Sequence, residues 1–94
     1  MESAAEQVIV FYRGRVQGVG FRATCRSLSK KFCVCGYVKN LSDGRVELLA
    51  EGDGKEVRAF LSAVRTSHLG EYIQEEQIVT SQAEGRYQSF DVTY

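Results

Sequence analysis

The apolar residues of this chain change period in a fixed order, and that order constrains the fold more than any single motif does. Gln7-Val8-Ile9-Val10-Phe11-Tyr12-Arg13 is rich in β-branched and aromatic residues and apolar on both alternations, as a central strand with at least one covered face requires. Gly14 to Gly20 holds three glycines and reads as a loop. Phe21, Cys25, Leu28 and Phe32 then recur at helical spacing, so one stripe faces the core while Arg26, Ser29, Lys30 and Lys31 face water. Val34 to Asn40 returns to strand character. Strand, helix and strand in succession make a crossover whose two strands run parallel.

The remainder repeats the theme. Leu41-Ser42-Asp43-Gly44 is a tight turn ending in glycine, and Val46, Leu48 and Ala50 then alternate with Arg45, Glu47 and Glu51 as a third, antiparallel strand. Asp53 with Glu56 three residues on resembles a capping box, opening a second helix with Val57, Phe60, Leu61 and Val64 on its apolar face. Tyr72 to Ser81 is a weaker, polar strand, Ala83-Glu84-Gly85-Arg86 a turn, and Phe90, Val92 and Tyr94 the inward positions of a short last strand. The expected class is α+β: a ferredoxin-like, split βαβ sandwich with an antiparallel sheet of four to five strands and two helices on one face.

With 94 residues and 44% hydrophobic content, one core is affordable and two are not, so residues 1–94 are expected to form a single domain with 1–6 as a loose N-terminal arm. The opening Met1-Glu2-Ser3-Ala4-Ala5-Glu6 has no secretory pattern, and no later stretch suits a membrane span, so a cytoplasmic protein is expected. Three cysteines and a lone His68 make a zinc site a poor fit. Cys33 and Cys35 would share a strand face and Cys25 a helix stripe, all as small apolar residues. His68, beyond the second helix, reads as a surface residue. No metal or other cofactor is called for, and with no obvious apolar patch a monomer is expected.

Charge is balanced overall and lopsided locally. From Tyr12 through Ser42 the chain carries Arg13, Arg15, Arg22, Arg26, Lys30, Lys31 and Lys39 without one acidic residue. That half should attract anions. Nucleic acid is one such anion, and ferredoxin-like sheets do host RNA-binding modules, but the central strands lack the aromatic pattern those modules use. A regulatory or interaction domain without turnover is a further alternative.

A smaller anion is indicated by convergence. The loop of residues 14–20 leaves the first strand at the same end of the sheet as Asn40 leaves the second, so topology alone brings Arg22 and Asn40 together. The loop also opens directly into a helix, whose N-terminal N–H groups and dipole favour an anion. Its glycines let amides converge, and an arginine in the first turn offers a planar fork for two phosphate oxygens. The spacing matches neither a Rossmann nor a P-loop fingerprint.

The run Gly14-Arg15-Val16-Gln17-Gly18-Val19-Gly20-Phe21-Arg22 resembles the first signature of the acylphosphatase family, and Gly36-Tyr37-Val38-Lys39-Asn40, followed by Gly44, Val46 and Gly52, resembles the second. The family often has a proline after the second helix, absent here from Ser67 to Gln77, and a small polar residue where this chain has Leu41. The resemblance implies a hydrolase of carboxyl-phosphate anhydrides, with an acyl phosphate as substrate and inorganic phosphate as product. It implies that the backbone of Val16, Gln17, Gly18, Val19, Gly20 and Phe21 binds phosphate, that Arg22 clamps it, and that Asn40 orients water. Neither nucleic acid nor membrane is then an expected partner.

Overall fold

The computed structural model describes residues 5–94. Its elements are β1 (Ala5–Gly14), α1 (Phe21–Ser29), β2 (Val34–Asn40), β3 (Val46–Asp53), α2 (Gly54–Thr66), a 3₁₀ turn (His68–Glu71), β4 (Ile73–Gln82) and β5 (Phe90–Thr93). The strands form one sheet in the order β4-β1-β3-β2-β5. β3 pairs antiparallel with both β1 and β2, which therefore run parallel to each other on either side of it.

Alternation decides the core. Val8, Val10 and Tyr12 of β1 stand opposite Ala50, Leu48 and Val46 of β3, and Val38 of β2 stands opposite Leu48. All seven are buried on one face, in a single cluster with Phe21 and Cys25 of α1 and Val57, Phe60, Leu61 and Val64 of α2. At about 25 cal/mol per Å² of apolar surface, each large side chain buried there contributes roughly 1.5–3 kcal/mol. Both helices thus cover the same side of the sheet.

The expected fold class holds, with local corrections. β5 lies parallel to β2, so the sheet is mixed and not wholly antiparallel. The reason is connectivity: β4 and β5 occupy opposite edges, and the chain crosses the whole sheet before it pairs again. Ala5 and Glu6, expected in a loose arm, belong to β1, while residues 1–4 lie outside the described residues. α1 ends at Ser29, because the amides of Lys30, Lys31 and Phe32 bond three residues back and tighten the last turn. Phe32 still packs, its ring 6.0 Å from that of Phe60. Ser29, expected in water, is buried, and its hydroxyl donates to the Arg26 carbonyl. Cys33 precedes β2 and is exposed, so it does not share a strand face with Cys35, which stands opposite Glu51 on the side away from the helices. Asp53 caps α2 by accepting from the Lys55 amide, but Glu56 turns instead to accept the Cys33 amide at 2.8 Å.

The largest departure concerns Glu51. Alternation puts it on the face away from the helices, where an acid ordinarily meets solvent, yet only 3% of it is exposed. The segment from Gln82 to Phe90 must span four inter-strand gaps of about 4.8 Å, roughly 19 Å, with eight residue steps that reach about 27 Å at full stretch. It crosses as a strap over the open face. Glu51 anchors it midway, accepting from the amides of Glu84 (2.8 Å) and Gly85 (3.2 Å) and from Gln7 Nε2 (2.7 Å). Tyr87 of the strap packs on Tyr37, whose hydroxyl donates to Glu47.

Burial pushes the Glu51 carboxyl up, but the N–H donors of Glu84, Gln7 and Gly85, with the nearby Arg86 charge, outweigh it and hold the group below the ordinary carboxylate range. A carboxylate lowered in the folded state stabilises fully above its unfolded pKa of about 4.3, and that contribution is lost as pH falls through the lower folded value. Glu51→Ala should therefore destabilise the fold by about 2 kcal/mol at neutral pH, since hydrogen bonds to a charged group are lost and the buried Gln7 amide loses its acceptor. Thermal unfolding against pH checks this, with the gap between the two proteins narrowing below about pH 4.

Candidate functional site

At the carboxyl ends of β1 and β2 the chain builds a small hollow. The loop 15–20 is held at several points. The Arg15 amide donates to the Tyr72 carbonyl at 3.0 Å, Val16 is fully buried in the core, and Val19 packs against it. Gly18 and Gly20 take φ of 79° and 77°, left-handed backbone that costs other L-residues roughly 1–2 kcal/mol. Gly20 is also the N-cap of α1, so the chain enters the helix with no capping side chain over its first amides. Among the described residues, the main-chain N–H groups of Val16 to Phe21 have no hydrogen-bond acceptor within the protein. Unpartnered amides at a helix N-terminus are the kind of group that can receive an anion.

The hollow, about 190 Å³, is lined by Val16, Gly18, Gly20, Phe21, Arg22, Ala23, Asn40, Val92 and Tyr94. Arg22 and Asn40 are therefore brought to one cavity. Asn40 is the last residue of β2 and shares the face of buried Val38, which aims it toward the helix side. Arg22 sits in the first turn of α1, which contains no acidic residue, and among the described residues it makes no ion pair. Its guanidinium lies 4.8 Å from the centre of the Tyr94 ring. Such stacking restrains the fork without neutralising it. Among the described residues no Asp, Glu or His side chain lines the hollow, and His68 is exposed on the 3₁₀ turn.

Four of the six loop positions expected at the site line the cavity; Gln17 and Val19 do not. Gln17 works through its side chain. Its Nε2 donates to the carbonyls of Leu41 (2.8 Å) and Arg45 (3.0 Å), tying the loop to the turn that follows Asn40. Val92 and Tyr94 were not foreseen as site residues. Their only sequence signal was alternation in a short terminal strand, and nothing local says that this strand pairs with β2. Among the described residues, no group of three His, Cys, Asp or Glu could hold a metal ion. Burial pushes the Cys25 thiol up to about 12, which leaves it a protonated core residue. No helix among the described residues is long and apolar enough to cross a membrane.

Fold and hollow together define a ferredoxin-like α+β domain with a cavity at the start of its first helix that holds Arg22 and, among the described residues, no acidic side chain. The family described as Acylphosphatase matches residues 8–92. A protein named Acylphosphatase from Archaeoglobus fulgidus is 38% identical over 85 residues, covering 90% of this chain and 94% of that protein. Another of that name from Bacillus velezensis is 40% identical over 81 residues, covering 86% and 90%. The crystal structure of acylphosphatase from Bacillus subtilis superposes with a TM-score of 0.86 at 34% identity, covering 95% of this chain and 99% of that one. The chain belongs to the acylphosphatase family and is an enzyme of that class, acting on acyl phosphates.

Gln17→Ala should loosen the loop from the turn while leaving the core intact. Loss of two hydrogen bonds should cost about 1–2 kcal/mol and speed hydrogen exchange at the Leu41 and Gly44 amides, measured by NMR, with little change in β1.

Proposed function

We propose that the hollow is the active site, in which the backbone of Val16 to Phe21 and the Arg22 guanidinium hold the phosphoryl group while Asn40 places the attacking water. What supports this reading is that Arg22, Asn40 and four loop residues with unpartnered amides, Val16, Gly18, Gly20 and Phe21, line one cavity, with no acidic side chain among the described residues of its lining. The remaining properties follow from the chemistry of the bond.

In an acyl phosphate the leaving group is a carboxylate, whose conjugate acid has a pKa near 4, so it departs without a proton donor. The water oxygen forms a bond to phosphorus as the bond between phosphorus and the acyl oxygen breaks. The electron pair leaves on the carboxylate, and the water proton passes to a phosphoryl oxygen or to solvent. A loose transition state asks mainly for alignment and charge stabilisation. Main-chain donors and the planar guanidinium fork supply the second. Asn40 supplies the first, because an amide can orient water but cannot act as a base near neutral pH. A cavity without an acidic or histidine side chain suits this bond and would suit a phosphate monoester poorly, since an alkoxide needs protonation as it leaves.

The substrate is thus a small acyl phosphate and the product inorganic phosphate, handled without a metal ion, by a monomer in the cytoplasm. The free thiols of Cys25, Cys33 and Cys35 fit that reducing compartment.

Arg22→Ala should abolish hydrolysis of a simple acyl phosphate, a loss of several kcal/mol of transition-state binding, and should also weaken inorganic phosphate binding. Asn40→Ala should abolish turnover with phosphate affinity preserved. Steady-state kinetics with a chelator present, and calorimetric phosphate titrations, check both. Unchanged phosphate affinity in Arg22→Ala would contradict the assignment. His68→Ala should leave turnover unaltered.

A further inference from the structure

The sheet ends differently on its two sides. β5 forms one edge with only four residues, and so short a strand offers little to pair with. β4 forms the other edge with ten, and among the described residues nothing pairs with its outer side. In an antiparallel ladder alternate residues aim their N–H and C=O groups away from the partner strand, so a row of main-chain donors and acceptors faces outward along β4. Such a row is a template for another strand.

Folded chains guard an edge of this kind with lysine, proline, a bulge or a covering helix. β4 contains no Lys, Arg, Gly or Pro. Its one irregularity lies at its start, where the pairing shifts between Arg13 and Gly14. α2 packs on β1, β2 and β3 and reaches β4 through Arg65, which pairs with Glu76 at 2.9 Å. Glu75 is engaged by Arg13 at 3.3 Å. Beyond these two acids the run Gln77-Ile78-Val79-Thr80-Ser81-Gln82 carries no charge. Ile78 and Val79, in the middle of it, are 51% and 48% exposed, and among the described residues only Tyr94 joins them as an exposed large hydrophobic side chain.

Ile78 and Val79 point to opposite faces of the sheet. Ile78 stands beside Val10 on the helix side, and Val79 beside Ile9 on the open side. An occupant that covers both has to run along the edge as a strand, because a flat surface would meet only one of them. Charge and symmetry then select the strand. When β4 pairs antiparallel with another β4 about a two-fold axis at Ile78, Glu75 and Glu76 fall opposite Ser81 and Thr80; with the axis at Val79 they fall opposite Ala83 and Gln82. Neither register opposes two acids, and each sets one β-branched side chain against its own twin, a favoured cross-strand pair. We infer that two copies of this chain pair antiparallel through β4, with Ile78 and Val79 at the centre of the contact.

The association is weak and self-limiting. A single strand pair buries less than a standard interface, which puts the dissociation constant at roughly 0.1 mM. Two-fold pairing uses the long edge of both copies, so growth stops at two. The phosphate hollow is lined from the loop, α1, β2 and β5, on the far side of the sheet. Each copy therefore keeps a complete hollow, the single chain remains the catalytic unit, and the pairing stands independently of the catalytic reading.

Sedimentation velocity between about 10 μM and about 1 mM reads the pairing directly. The average mass should start at one chain, rise toward two and not pass it, and added salt should leave the curve in place because the paired run is uncharged. Val79→Lys sets like charges beside the axis and should keep the chain single throughout, its stem still lying along the sheet so that the thermal melt is retained. Hydrogen exchange supplies a readout that needs no variant: alternate amides between Gln77 and Ser81 should slow about fourfold from the dilute to the concentrated sample, while those of β5 do not change. A chain that stays single at the highest concentration would overturn the pairing and leave the edge to a strand of another protein. A mass that climbs past two, association that salt abolishes or that Val79→Lys retains, or dimers whose β4 amides exchange as before would equally overturn it.

Discussion

The parallel course of β1 and β2, with β3 inserted between them, is the constraint on which everything else rests. A right-handed crossover through α1 sets it, and the facing rows of Val8, Val10, Tyr12, Val46, Leu48 and Ala50 fix its register. A slip of one residue would turn those side chains away from the helices. The same register puts the end of β1, the start of α1 and the end of β2 at one edge of the core. Cavity geometry is therefore a consequence of core packing.

Two tethers refine that arrangement. Gln17 links the loop to the β2–β3 turn, so residues on either side of the cavity cannot drift independently. Glu51, on the far face, holds the strap that brings β5 alongside β2. That strand in turn carries Val92 and Tyr94 into the cavity wall and sets the Tyr94 ring against Arg22. A buried carboxylate across the sheet thus helps define the surroundings of a guanidinium it never touches.

What the sequence made legible is what local pattern and crossover topology determine. The strand at residues 34–40, the helical stripe from Phe21 and the meeting of Arg22 with Asn40 needed only periodicity and the handedness of a βαβ unit. Less was visible where long-range contacts decide. Glu51 looked like any solvent-facing acid in an alternating strand, because the strap that buries it lies more than thirty residues away. The parallel pairing of β5 was hidden for the same reason: four residues carry no directional signal, and the direction follows from which edge the strap reaches. Gln17 was placed by motif as part of the loop backbone, while its side-chain bonds depend on a turn that is distant in sequence. The family resemblance supplied roles; packing supplied the neighbours.

The central claim is that unpartnered amides of the loop 16–21 and the Arg22 fork receive a phosphate. It is tested most directly by following amide and guanidinium proton–nitrogen resonances during titration with inorganic phosphate. The account predicts saturable shifts concentrated at residues 16–22, with the strap and the 3₁₀ turn nearly silent. Shifts scattered over the basic surface without saturation, or confined to residues outside the hollow, would contradict it.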